Sequence, residues 1–539
     1  MPVMNVRDMG SMGVVSDIAP WDLPPSALTD GSNFRVSAGK IQTVGGLKDL
    51  QFPAGDQLGH VTQSTDLDKN SLWVVLGETT VRVWDGTSAR DILNGLALSV
   101  PNPHLWSTCQ VGAQVFMNHP EYYPMSWEDR DGADDQFAKP LPWKPDPNDP
   151  TKSKTWEEAN KRCKVLRAHK NFLWALGIKE DGYTFSDKVH WSHPAEPNGI
   201  PYTWEPPGPD DLSSIAGYVT LGRGGAVVGG ESLRDSFVIY SDEAINVMDF
   251  VGDALGWRRR TVSSSAGLVG KEAVVEVNGI HYFISRDDIL SFDGNTVQSL
   301  IHNRLKKRIA QSINNQTRDT SWAAHNAVFN EIWFAIPEGD AEFPNTAYVF
   351  NYRDNTWAIR DLEREFRHGH FGNQPTPFDI RDWKKFSWKD DAGNDVHISW
   401  NEAKASWHLA GSQPFDGQLN AVESDTLQNI DPQIPDEEPV SFVSRTDMPI
   451  GGHEANTTIT RVYPMIEGTN EVEMRFGSQQ RAGGEVRWAS DWLTFLPGVD
   501  RKLDIRTTVE LHAFQVRAKG KGFFNLTGFD IEYSLAGGR

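Results

Sequence analysis

Ile280-His281-Tyr282-Phe283-Ile284, a polar gap of four residues, then Ile289-Leu290-Ser291-Phe292-Asp293-Gly294 is the stretch from which the rest of the chain can be read. Two short apolar strands across a polar turn make a β-hairpin. The same pattern recurs at Leu72–Leu76 with Val81–Gly86, Phe172–Leu176 with Val189–Ser192, Phe237–Tyr240 with Ala244–Met248, and Ile332–Ile336 with Tyr348–Phe350 and Trp357. A looser copy, Val115-Phe116-Met117 with Met125-Ser126-Trp127, fills the gap between the first two. One hairpin cannot bury its own apolar face, so recurring hairpins must stack on each other. Radial stacking is the β-propeller solution. The expected fold is all-β, with a β-propeller-like domain over residues 61–410. Weak copies near 115–127 and 387–410 leave the blade count open.

A chain of 539 residues exceeds one compact core, so several domains are expected. Its 47 Gly and 31 Pro supply the turns an all-β protein needs. Lys+Arg 52 against Asp+Glu 73 leaves a formal charge of −21, which repels phosphate backbones and excludes ordinary nucleic-acid binding as the expected activity. Cys109 and Cys163 can pair, but two thiols in so long a chain fit a reducing cytosol better than a disulfide scaffold. Residues 1–8 lack the apolar core of a secretory signal, and no run approaches the roughly 20 apolar residues of a spanning helix. Without such a signal, the sequons at Asn456 and Asn525 are read as chance.

Residues 1–60 read as an irregular, turn-rich arm that wraps another part of the fold or a neighbouring subunit. Residues 128–160 are an acidic, proline-rich insertion expected to project for contact, with Thr155-Trp156-Glu157-Glu158 as a capping box opening a short helix. Ile301, Leu305, Ile309 and Ile313 fall every fourth residue and predict a helix whose basic flank (Arg304, Lys306, Lys307, Arg308) faces solvent or docks an acidic partner. Residues 411–439 have linker composition. In 440–539, period-two stretches at 472–476, 486–488, 503–506, 514–517 and 529–533 predict a separate C-terminal β-sandwich.

Chemistry is hard to find. Gly222-Arg223-Gly224-Gly225 lacks the lysine and the strand–helix context of a phosphate loop, and His453-Glu454 is not a zinc-protease motif. His368-Gly369-His370 sets two imidazoles on one side of a strand, but no third metal ligand can be named. The acidic loop from Asp129 begins like a calcium site yet has Ala133 at a ligand position and Pro140 where a bidentate Glu belongs. Ser285-Arg286-Asp287 is a fragment of a sialidase turn, and Trp84-Asp85 a single copy of the WD dipeptide. No nucleophile elbow occurs. The expectation is no catalytic residues, no cofactor and no metal.

Three stretches resemble one family. Asp17-Ile18-Ala19-Pro20-Trp21-Asp22-Leu23-Pro24-Pro25-Ser26-Ala27-Leu28-Thr29-Asp30-Gly31-Ser32-Asn33-Phe34-Arg35 is similar to the N-terminal signature of the tail nozzle proteins of short-tailed bacteriophages, also called tail tubular protein B. Tyr282–Asp287 with Ser291–Asn295, and Leu526–Tyr533, resemble the same family in the middle and at the C-terminal end. The resemblance implies a structural virion protein: a hexameric ring below a dodecameric adaptor, with propellers around an axial channel that retains DNA and then conducts it during ejection. It also implies tail fibres or spikes near the adaptor junction and assembly in the bacterial host cytoplasm. The family carries no catalytic residues. The acidic excess fits a channel wall along which DNA slides without sticking.

Trp257-Arg258-Arg259-Arg260 is the densest basic spot beside an aromatic. It reads either as a solvated strand end or as an intersubunit or adaptor contact made by Arg258, Arg259 and Arg260. Two other functions compete with the conduit. One is a host-surface carbohydrate-binding or carbohydrate-cleaving propeller, with Trp383, Trp388, Trp400 and Trp407 stacking on sugar rings, although core packing explains those tryptophans more simply. The other is a soluble interaction scaffold.

Overall fold

The computed structural model describes residues 2–538 except 46, 50–51, 53–55, 66–70, 85–87, 130–136, 147–148, 209–212, 223, 253–255, 363, 374–406, 413–418, 423–440, 453–454, 469–470 and 519–523. The chain is a β-propeller joined to a β-sandwich. Seven four-stranded antiparallel sheets follow one another along the described chain. Blade 1 holds Leu58–Thr65, Ser71–Gly77, Val81–Trp84 and Ala89–Asp91. Blade 2 holds Ser107–Val111, Gln114–Asn118, Met125–Trp127 and Lys139–Pro140. Blade 3 holds Lys161–His169, Phe172–Glu180, Tyr183–Trp191 and Gly217–Thr220. Blade 4 holds Val227–Leu233, Ser236–Ser241, Ile245–Phe250 and Trp257–Ser263. Blade 5 holds Val274–Val277, Ile280–Ile284, Ile289–Phe292 and Val297–Ser299. Blade 6 holds Trp322–Asn326, Glu331–Ile336, Thr346–Asn351 and Thr356–Asp361. Blade 7 takes His368–Asn373, Trp407–Ser412 and Leu419–Val422, and its outer strand is Leu47–Asp49, from the N-terminal segment.

The first strands of successive blades lie side by side around the axis, and that of blade 7 lies against that of blade 1, so the ring is closed. The apolar copies read from sequence are the second and third strands of blades 1 to 6. They are buried because each sheet is covered on both faces by its neighbours; Leu173, Trp174, Ala175 and Leu176 in blade 3 are all 0% exposed.

The segment 1–60, expected to be an irregular arm, is largely turn and loop, but several short strands within it pair with other parts of the chain. Val3–Val6, Phe34–Ser37 and Lys40–Thr43 share a six-stranded sheet with Ala455–Gly468, Leu503–Val509 and Phe524–Gly538. Asp30–Ser32 pairs with Phe442–Pro449 in the second six-stranded sheet, beside Leu511–Ala518 and Val472–Gln479. Both ends of the chain therefore build the sandwich, and residues 440–539 do not complete it alone.

Two further expectations are corrected. The helix is α1, Lys306–Ser312 only, because Asn303 sits at φ 57° and its left-handed backbone breaks the turn before it. Its basic flank is partly paired at the surface: Lys306 pairs with Asp288 at 2.6 Å, Arg308 with Asp30 at 2.7 Å, and Arg304 donates to the carbonyls of Met12 and Asn355, while Lys307 is exposed. The insertion does not merely project. Pro142–Asp146 and Asp149–Thr155 form a hairpin whose Trp143 meets Trp156 edge to face at 4.8 Å, both buried with Trp204. The capping box exists, with Thr155 N donating to Glu158 at 2.7 Å and Glu158 N to Thr155 Oγ1 at 3.2 Å, but it closes one turn rather than a helix. Of the expected linker 411–439, residues 411–412 and 419–422 are instead strand in blade 7. Its other residues lie outside the described residues, as do Trp383, Trp388 and Trp400 and the centre of the acidic loop.

Candidate functional site

The propeller axis gathers the ionisable side chains. The first strand of each blade turns alternate residues inward, and together the seven enclose a cavity of about 470 Å³. Lys271 and Glu272, just before the first strand of blade 5, anchor its charge. Glu272 accepts from Arg167 Nη2 of blade 3 at 2.9 Å and from Lys271 Nζ at 3.0 Å. Arg167 also donates Nη2 to the Lys271 carbonyl at 2.9 Å and Nε to Gly230 O of blade 4 at 3.3 Å, while Lys271 Nζ reaches the Trp106 carbonyl ahead of blade 2. One cluster thus ties four consecutive blades. Glu272 also lines a second cavity of about 220 Å³ that includes Asp319 and Arg367, so the cluster divides the axis.

The electrostatics follow from low dielectric and fixed partners. Burial raises the Glu272 carboxyl, but Arg167 and Lys271 outweigh it and hold the group well below the usual range. Glu231 on blade 4 also lines the cavity, and burial dominates there, so its carboxyl is pushed up despite Arg167. Burial drives His60 well below its ordinary value and His368 down to about 3. Both imidazoles are therefore neutral at physiological pH. Burial also pushes the Cys109 thiol up to about 12, which keeps it protonated and a poor nucleophile. The charges satisfy one another, and the cluster acts as a hub that fixes the blades in place.

His368 and His370 do share one side of their strand and both line the cavity. His368 stacks on His60 with ring centroids 3.9 Å apart, and its Nδ1 accepts from Val61 N at 3.4 Å. Among the described residues no group of three or more His, Cys, Asp or Glu is arranged for a metal. Cys109 and Cys163 are both free thiols.

Arg258, Arg259 and Arg260 lie on the outer strand of blade 4. Arg259 donates to the carbonyls of Thr220 and Leu221 at 3.0 and 2.9 Å, bridging to blade 3. Arg260 pairs with Asp249 at 2.9 Å and donates to Gly294 O of blade 5 at 3.0 Å. These two stitch neighbouring blades; Arg258 is exposed on the same strand. Among the described tryptophans, Trp73, Trp106, Trp127, Trp174, Trp322, Trp333 and Trp357 are buried inside the propeller and present no sugar-stacking platform.

The cluster itself escaped the sequence reading. Its signal is a lone charge ahead of a dense apolar strand: Arg167 stands five residues before Phe172 and Glu231 six before Phe237. Such a charge sits on the blade's first strand, where polarity marks the axis.

The chain matches no protein-family model and no curated protein. Solved structures of U3-55K, of the AfRom2 CNH domain and of YCF48 bound to D1 peptide align with it at TM-scores of 0.38, 0.36 and 0.35 and at 8%, 8% and 11% identity. Those alignments cover 70%, 70% and 72% of this chain and 98%, 99% and 100% of theirs. At that distance the likenesses carry no functional weight, and the propeller rests on its own seven closed sheets.

Proposed function

We propose that this chain is a structural subunit of a short-tailed phage tail: the nozzle, a hexameric ring that docks on the adaptor and retains, then conducts, DNA. The observation that carries the reading is the stretch Asp17–Arg35, whose resemblance to the nozzle family is the most extended and which forms the seam between propeller and sandwich. Asp17 accepts from the N–H groups of Lys306 and Lys307 at 2.8 and 3.1 Å, and Arg35 is bound bidentately by Glu331 of blade 6. A signature spent on welding two domains together suits a load-carrying part. The charge of −21 supports the same reading, as does the engagement of buried Arg167 and of surface Arg259 and Arg260 by carbonyls of neighbouring blades, because cations left free would grip phosphates and slow their passage. Tail fibres or spikes would attach near the adaptor junction, and no cofactor is required.

Electron microscopy of the purified chain with its adaptor ring tests this. A closed six-fold ring with an axial pore is expected. A subunit that stays solitary overturns the conduit; a melting temperature that then rises with a sugar favours the host-surface carbohydrate reading, and an unchanged one favours an interaction scaffold.

A further inference from the structure

Blade 3 has an edge unlike its neighbours. Its second and third strands are each nine residues long, but the outer strand covers only Lys188–Trp191. The Asp187 carbonyl still accepts from Leu221 N at 3.0 Å, but among the described residues no outer strand covers Tyr183–Ser186, which leaves an open strand edge there. Its alternate residues Tyr183 and Phe185 share a face and are 72% and 40% exposed, and Tyr218 on the outer strand is 54% exposed. Lys188 Nζ lies 5.2 Å from the Phe185 ring and 4.9 Å from the Tyr218 ring, joining the two into one surface. Glu180 accepts from Lys188 at 2.6 Å and from Lys161 at 2.5 Å, so these three groups carry one net positive charge. The result is an aromatic rim built round a Lys188–Glu180–Lys161 cluster on a strongly acidic molecule.

We infer that this rim is an interface between neighbouring copies of this chain, an inference that rests on the ring reading above. Two subunits that each carry −21 repel across most of their surfaces, so close approach requires a place where cationic side chains offset the acidic surface and apolar contact is available. Exposed tyrosines around a lysine have the composition of interface hot spots, and an unpaired edge offers backbone partners as well. In a ring the contact is head-to-tail, with a different surface of the next copy receiving the rim.

The test is a Tyr183→Ser, Phe185→Ser, Tyr218→Ser triple variant of the full chain beside a Val499→Ser control, which removes an apolar side chain 70% exposed on the sandwich. Sedimentation velocity reads the concentration at half-assembly. The triple variant should raise it at least about tenfold with an unchanged melting temperature, and the control should leave it alone. A photo-crosslinker at position 183 should join subunits covalently. Unaltered assembly of the triple variant, or crosslinks within one subunit only, overturns the interface and leaves the conduit standing. A wild-type chain that never assembles, even with adaptor present, overturns both.

Discussion

Arg35 shows how much one side chain can hold. It is 7% exposed, Glu331 is 2% exposed, and Arg35 also stacks 3.4 Å from the centroid of the Phe329 ring. Removing one member of a buried pair strands the other charge, so Arg35→Ala should cost about 3–5 kcal/mol in urea unfolding. Arg35→Met with Glu331→Leu should recover most of that loss, because neither charge is then left unpaired. The buried imidazoles set the acid response. His281 is held as a neutral tautomer, donating Nε2 to Ser232 O at 2.7 Å and accepting the Tyr240 hydroxyl at 2.8 Å, and burial lowers it to about 4. Burial lowers His190 to about 3. Unfolded imidazoles take protons near pH 6.5 and these do not, so the unfolded chain binds more protons as pH falls. Stability should drop from about pH 6.5 downward, by up to about 1.4 kcal/mol per pH unit for each such histidine. Melting temperatures at pH 7.5 and 5.0 should show the fall, and His281→Gln should flatten it by one group's share.

At the scale of elements, α1 begins on a carboxylate supplied from far away in the chain. Asp17→Ala removes acceptors from two first-turn N–H groups and should cost about 1 kcal/mol, read as faster amide exchange in Lys306–Ser312 with the blades unaffected. Which elements were legible follows from burial. The second strands of the blades were plain because both faces are covered, so Ile332-Trp333-Phe334-Ala335-Ile336 is an unbroken apolar run. The first strands were not, since one side meets neighbouring blades and the other meets the axis: His60, Arg167 and Glu231 look like loop residues in one dimension. Asp30-Gly31-Ser32 has turn composition and became a strand only because Phe442–Pro449 lies beside it. The triple arginine was visible as a basic spot, but its partners Thr220, Leu221 and Gly294 are carbonyls brought close by blade stacking, which no local pattern announces.

The whole molecule is organised by the meeting of its ends. Val3 is paired opposite Glu532, and Lys40–Thr43 lies against Phe524–Gly538, so the sandwich cannot close before both ends are present. Residues 441–538 expressed alone should therefore lack cooperative unfolding by circular dichroism and calorimetry, and adding residues 1–43 on a second chain should restore it. Folding should be slow for the same reason, since the pairing spans nearly the full sequence. Leu47–Asp49 has a related part. It fastens blade 7 through three residue pairs, Leu47 with Val422, Lys48 with Ala421 and Asp49 with Asn420. The segment just before it belongs to the sandwich, so the buckle of the belt hangs on the neighbouring domain. Tension that drags the sandwich away tugs first on that buckle, and a tug strong enough to slip it unfastens the circle of blades at one known place.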